Sequence, residues 1–218
     1  MKPLLLTTGD SFTYGEELEH PELHAWPVLV AQELGYDLVN KGNPGTGNEL
    51  QIKHVLKNVP TLKPDLVIVA WTSPGRIEIG DEEGVYDVWP GSNLGKWTNG
   101  TANFRVELSK YMTLHNNEEW QYRRWLRQII QLQSYLKLND INYRFVMTFN
   151  DNTDLNKKLL HRAYEYVDQI DKSQFIGWPN VSFVNWCWRE PHGPNRHPLE
   201  AGHQKIAENI IEALRTTR

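Results

Sequence analysis

Short apolar blocks separated by longer segments of helical periodicity set the pattern of this chain. The run Pro3-Leu4-Leu5-Leu6 reads as a buried strand and leads into Thr7-Thr8-Gly9-Asp10-Ser11-Phe12-Thr13-Tyr14-Gly15. His24 to Gly35 then carries apolar residues at helical spacing and ends on a glycine suited to a C-cap. Pro27 falls in its first turn, where a missing N–H costs little. Asp37-Leu38-Val39-Asn40 is a second short strand, running into the loop Gly42-Asn43-Pro44-Gly45-Thr46-Gly47-Asn48, whose glycines permit positive φ and close backbone approach. A helix is predicted over 49–59, with Leu50, Ile52, Val55, Leu56 and Val59 as core positions and Pro60 and Pro64 bracketing the exit. Asp65 to Trp71 is the clearest strand, a continuous apolar run of the kind found in parallel sheets covered on both faces.

Residues 77–117 break this rhythm, being rich in Gly, Asn, Trp and acidic residues, and are expected to form one long excursion over the carboxyl edge of the sheet. Glu118 to Leu138 resumes as an amphipathic helix with Trp125, Ile129, Leu132 and Leu136 on one stripe. Tyr143 to Phe149 is a fourth strand, and Asp151 and Asn152 are candidate caps for a helix over about 154–170. Val181 to Trp186 is a fifth strand, and Pro198 to Leu214 closes the chain as a helix. Alternating strands and helices predict an α/β fold: one three-layer α/β/α sandwich over residues 1–218, with a five-stranded parallel sheet of the flavodoxin-like kind.

Composition narrows the function classes. A net charge of −4 and a pI near 6.1 argue against nucleic acid as a main partner. No apolar run approaches the roughly 18 residues of a membrane span. The N-terminal apolar run is too short for a signal peptide, so a cytoplasmic location is expected. The single cysteine, Cys187, excludes an internal disulfide and fits a reducing compartment. Nine tryptophans are a high count, suited to core and loop packing or to a sugar-binding groove.

Chemistry is expected at the strand ends. Ser11 stands at a strand-to-helix junction, at the sheet edge where α/β folds place their sites. Gly-Asp-Ser is also a common turn and N-cap, so the tripeptide alone decides little. Nucleophilic catalysis by serine needs a base within reach and donors for the developing oxyanion. The loops after the first, second, third and fifth strands offer Ser11, the Gly42–Gly47 segment, Thr72-Ser73 and His197, all at one edge.

On these residues the chain resembles the SGNH hydrolases, the GDSL-type esterases and lipases. Gly9-Asp10-Ser11 matches the first family block, with Ser11 as nucleophile. Asn40-Lys41-Gly42-Asn43-Pro44-Gly45 matches the second, in which the N–H of Gly45 would serve the oxyanion hole. His197-Pro198-Leu199-Glu200-Ala201-Gly202-His203 resembles the last, with His197 as base and His203 a helix residue packing below the site. Two positions depart. Pro74 occupies the place of the family's oxyanion-hole asparagine, leaving Ser73, or Thr72, as the substitute donor. Pro194 occupies the place of the aspartate that orients the histidine, leaving Glu190, Asp151 or a backbone carbonyl for that role. Arg76 is either an ion-pair residue or a holder of an anionic substrate group. The spacings of His192, His197 and His203 fit no zinc pattern. The resemblance implies a serine hydrolase that cleaves a carboxylic ester, on a small molecule or an O-acylated glycan, without cofactor or metal. The alternatives are a non-catalytic binding protein on the same fold, or an acyltransferase using the same Ser-His pair. A wound-sheet nucleotide-binding domain lacks its phosphate-loop or dinucleotide fingerprint.

Overall fold

The computed structural model describes residues 2–81, 84–90, 101–115, 117–149 and 164–216. In chain order the strands are β1 (Leu4–Gly9), β2 (Asp37–Gly42), β3 (Leu66–Trp71), β4 (Ile77–Asp81), β5 (Gly84–Val88) and β6 (Tyr143–Met147). The helices are α1 (Ser11–Tyr14), α2 (Pro21–His24), α3 (Trp26–Leu34), α4 (Asn48–Leu62), α5 (Thr101–Leu114), α6 (Glu118–Leu138), α7 (Tyr164–Val167), α8 (Phe183–Cys187) and α9 (Glu200–Thr216). Four strands pair in parallel in the order β2-β1-β3-β6.

Side-chain alternation in those strands divides the core in two. Leu6, Val67, Val69, Trp71, Phe145 and Met147 face one way and pack against Val55 and Val59 of α4 and Trp125, Ile129 and Leu132 of α6. Leu5, Leu66, Ile68, Ala70 and Val146 face the other way, against Trp26 and Val30 of α3 and Ile206 and Ile210 of α9. Every residue of β3 is buried, as its unbroken apolar run requires. The result is the expected three-layer α/β/α sandwich. Among the described residues no helix is long and apolar enough to cross a membrane.

Among the described residues the sheet has four strands rather than five. Of the predicted strand over 181–186, only Ser182 pairs, by a single parallel bridge to Met147. Ser182 and Asn185 instead form a reciprocal capping box, with the Ser182 N–H donating to Asn185 Oδ1 at 2.7 Å, and the chain turns into α8. Phe183 is thereby carried into the helical layer, edge-on to Trp26 at 5.3 Å between ring centroids. The 77–117 excursion holds more order than its composition suggests: β4 and β5 form an antiparallel hairpin, and α5 follows. The predicted 24–35 helix is split, because extended backbone at Ala25 separates the single turn of α2 from α3. Pro60 lies inside the last turns of α4, which runs on to Leu62 before a left-handed Lys63 ends it. The start of the helix expected over 154–170, with Asp151 and Asn152, lies outside the described residues; α7 covers its later part.

Since all four sheet strands run the same way, their carboxyl ends share one edge. Strand order reverses between β1 and β3, the switch point at which wound sheets open a crevice. Ser11 follows β1 and Thr72 to Arg76 follow β3, one on each side of that point.

Candidate active site

The junction after β1 is anchored by a buried acid. Asp10 caps α1 by accepting the Phe12 N–H on Oδ1 at 3.1 Å, and its Oδ2 accepts the Thr72 hydroxyl at 2.7 Å. Asp10 is completely buried and Ser11 is 3% exposed, so the serine stands on a turn fixed from beneath. The second block braces the same turn. Asn40 donates to the Thr13 carbonyl at 2.9 Å while its Oδ1 accepts from Thr7 Oγ1 and the Gly42 N–H. Gly45 sits at φ 72°, in the left-handed region open to glycine, and Gly47 is tied to the hairpin by its N–H to Asp87 Oδ1 at 2.6 Å. Burial pushes the Asp87 carboxyl up to about 6, even against that hydrogen bond.

His197 is held by a residue that the sequence reading did not nominate. His197 Nδ1 lies 2.9 Å from Oε2 of Glu17, in the turn directly after α1. The same carboxylate accepts the backbone N–H groups of His197 (3.1 Å) and Asn195 (2.9 Å) and the Asn195 side chain (3.0 Å). Burial alone would raise its pKa, but these donors outweigh it and hold Glu17 below the usual carboxylate range. Glu17 adopts φ 70°, a left-handed conformation costing a non-glycine residue about 1–2 kcal/mol. Gly193 makes the approach feasible: a Cβ there would lie 2.7 Å from Glu17 Cδ. On the other side of the ring, His197 Nε2 is 3.3 Å from Oε2 of Glu16.

Ser11 and His197 line one cleft of about 620 Å3, with Phe12, Phe149, Trp188 and Arg76 among its walls. This volume suits a small ligand. Phe12, next in sequence to Ser11, stands edge-on to the His197 ring at 5.9 Å. The Ser11 hydroxyl has no hydrogen-bonding partner among the described residues, and Nε2 is turned to Glu16 instead. No group of three His, Cys, Asp or Glu side chains among the described residues is arranged to hold a metal ion.

Sequence comparison places this arrangement in a family. The model of DUF6071, a family of unknown function, matches residues 12–217. The chain belongs to DUF6071. No curated protein matches it in sequence. Among solved structures, this DUF6071 chain is similar to TesA at 12% identity, with 99% of both chains covered and a TM-score of 0.61. It is also similar to a carbohydrate esterase family 2 enzyme with a carbohydrate-binding domain from Corynascus thermopiles (Myceliophthora fergusii). There the identity is 14%, covering 100% of this chain and 67% of that one, with a TM-score of 0.58. A member of the lipolytic G-D-S-L family from Veillonella parvula matches at 14% identity over 96% of each chain, with a TM-score of 0.51. At such identities the likeness is one of fold, and the fold is that of the SGNH hydrolases.

Against that fold, the DUF6071 chain brings Ser11 and His197 to a common cleft, whereas Gly45 and Ser73 are not among the residues that wall it. Ser73 Oγ accepts the Gly75 N–H at 3.3 Å within its own turn, and Thr72 is committed to Asp10. Of the groups considered for orienting His197, Asp151 lies outside the described residues, and the partner seen at Nδ1 is neither Glu190 nor a backbone carbonyl. The signal for Glu17 was an acidic pair one turn beyond the nucleophile, which no local periodicity connects to a histidine near the other end of the chain. His203 is fully buried below the site, its Nδ1 accepting the Trp26 N–H at 3.1 Å, and Cys187 is a buried thiol pushed up to about 11 by burial. The tryptophans divide: Trp26, Trp71 and Trp125 are core, while Trp188 is 72% exposed at the cleft.

Proposed function

We propose that this chain is a serine ester hydrolase working through Ser11, His197 and Glu17. The observation that carries the reading is the 2.9 Å contact between His197 Nδ1 and Glu17, made by a histidine that lines the same cleft as Ser11. Glu17 would hold the Nδ1–H tautomer and stabilise the imidazolium. Ser11 Oγ attacks the ester carbonyl carbon as Nε2 takes its proton, and the tetrahedral oxyanion is met by the N–H of Ser11. Collapse breaks the bond to the alcohol oxygen, which leaves with the proton from Nε2. Water then attacks the acyl-serine, giving its proton to Nε2, and the carboxylic acid departs as Ser11 is reprotonated. For this to begin, Nε2 must turn from Glu16 toward Ser11. No step requires a cofactor or metal.

A small O-acyl ester, on a carbohydrate or another alcohol, suits the aromatic walls and modest volume of the cleft. The Corynascus protein, similar in fold, is itself a carbohydrate esterase. The test compares wild type with Ser11→Ala on 4-nitrophenyl esters of two to eight carbons, alongside labelling by a fluorophosphonate. Turnover and labelling in wild type, both absent in Ser11→Ala, support the reading. Equal background rates and no labelling of Ser11 in wild type overturn it.

A further inference from the structure

Two arginines and two histidines line the cleft, Arg76, Arg196, His192 and His197, and none of its wall residues is acidic. That is unexpected for a chain of net charge −4. The acids nearby are committed elsewhere. Glu17 accepts from Asn195 and His197, Glu16 faces His197, and Asp10 lies buried beneath, bonded to Thr72 and the Phe12 N–H.

Arg76 is the best-positioned of the four. Its backbone carbonyl and that of Pro74 accept from Arg124 Nη2 at 2.6 and 2.8 Å, pinning the turn after β3 from α6. Its guanidinium is flanked by the rings of Trp89 (5.1 Å) and Phe149 (5.3 Å), so its plane is held without consuming its N–H groups. One nitrogen, Nη1, donates to the Thr46 carbonyl at 3.3 Å and forms an ion pair with buried Asp10, 3.8 Å from Oδ2 and too long for a hydrogen bond. A guanidinium has five N–H donors in a rigid fork matched to carboxylate and phosphate, and most of this one is unused. Asp87, on the hairpin, faces it through space while bonded to Gly47. Arg196 is exposed at the cleft on a left-handed backbone (φ 67°), which turns it outward beside His197.

We infer that the ester cleaved here carries a negatively charged group, a carboxylate or a phosphate, and that Arg76 with Arg196 selects it. This rests on the esterase reading and adds the substrate's charge. Asp10 meets the charge of Arg76 from one side without a hydrogen bond, so a neutral ester would leave most donors of this fixed, partly desolvated guanidinium unmatched.

The experiment measures kcat/KM for matched pairs: 4-nitrophenyl hydrogen succinate against 4-nitrophenyl butyrate, and 4-acetoxybenzoate or 4-acetoxyphenyl phosphate against phenyl acetate. The first pair places a carboxylate on the acyl side, and the others separate carboxylate from phosphate on the alcohol side. At least one anionic ester should exceed its neutral partner by about tenfold at low salt, the preference shrinking as salt is raised. Arg76→Gln and Arg196→Gln should each bring that ratio toward one, the exposed Arg196 guarding against a folding artefact at Arg76. Wild type showing no preference, or a ratio unmoved in both variants, overturns the inference while leaving the esterase reading intact. Should no ester be turned over, calorimetric titration of Ser11→Ala with the same pairs decides separately. Tighter binding of an anionic member, weakened by Arg76→Gln, supports the cation pair; equal binding of both members overturns it.

Discussion

Glu17 stands six positions after Ser11 and 180 before His197, yet its Oε2 lies 2.9 Å from Nδ1 of that histidine. On the proposed reading, the acid that orients His197 thus comes from the turn that carries Ser11, not from the stretch preceding the histidine. The place beside His197 that the family resemblance reserves for an aspartate holds Pro194, and the surrounding loop supplies N–H donors to Glu17 instead.

Neutralising this acid should damage the chemistry more than binding. Glu17→Gln keeps an oxygen acceptor but removes the charge that stabilises the imidazolium. We expect kcat to fall by about 10^2- to 10^4-fold with little change in KM. A loss under threefold on any ester that wild type cleaves would rule out an orienting role. The carboxyl also ties pH to stability: its folded pKa lies below the unfolded value, so its contribution is present above about 4.5 and is lost as pH falls through the folded value.

Gly193→Ala tests the same contact from the opposite side. The added methyl meets Glu17 Cδ at 2.7 Å and must displace either the carboxylate or the loop. Thermal unfolding should show a loss of about 1–3 kcal/mol, as for other overpacked sites. Unchanged stability together with unchanged turnover would mean that the loop shifts freely, contrary to the fixed geometry described.

Glu16 is expected to restrain the base. Its carboxylate stands 3.3 Å from Nε2, where the Ser11 proton must arrive, and parting a half-exposed pair of this kind costs up to about 1 kcal/mol. Glu16→Ala should therefore raise kcat/KM by roughly fivefold. A tenfold decrease would instead place Glu16 among the groups the reaction needs.

His203 gives a pH signature independent of activity. Burial is the main cause of its pKa falling to about 4, with the charge of His197 adding to it. Between about 4 and 6.5 the unfolded chain holds a proton that the folded chain lacks, so stability is complete above that window and declines as pH falls through it. The decline amounts to about 3 kcal/mol. His203→Asn, which can still accept the Trp26 N–H, should flatten the slope in chemical denaturation at pH 4 to 7. An unaltered slope would assign it to other groups.

What could be read from the chain follows the range of each interaction. The four sheet strands and α6 were legible because apolar periodicity is local, and the meeting of Ser11 and His197 at one cleft because each sits within a short motif at a strand or helix end. Val181 to Trp186 misled because its alternation resembles a strand while Ser182 and Asn185 carry a capping pattern, and the cap prevailed. The hairpin was hidden by the Gly- and Asn-rich composition around it, although Ile77-Glu78-Ile79 alternates as a strand should. Glu17 was out of reach for another reason: a charge contact spanning 180 residues leaves no trace in local spacing.

Ser11 and Glu17 share one short turn, so on the proposed reading their alignment with His197 rests on a single contact region between residues 11–17 and the loop at 193–197. The donors that seat Glu17 also fasten the approach to α9 onto the turn after β1. If the proposed roles hold, assembling the site and fastening the C-terminal helix depend on the same set of hydrogen bonds. A molecule in which that loop has let go presents a serine with nothing positioned to take its proton.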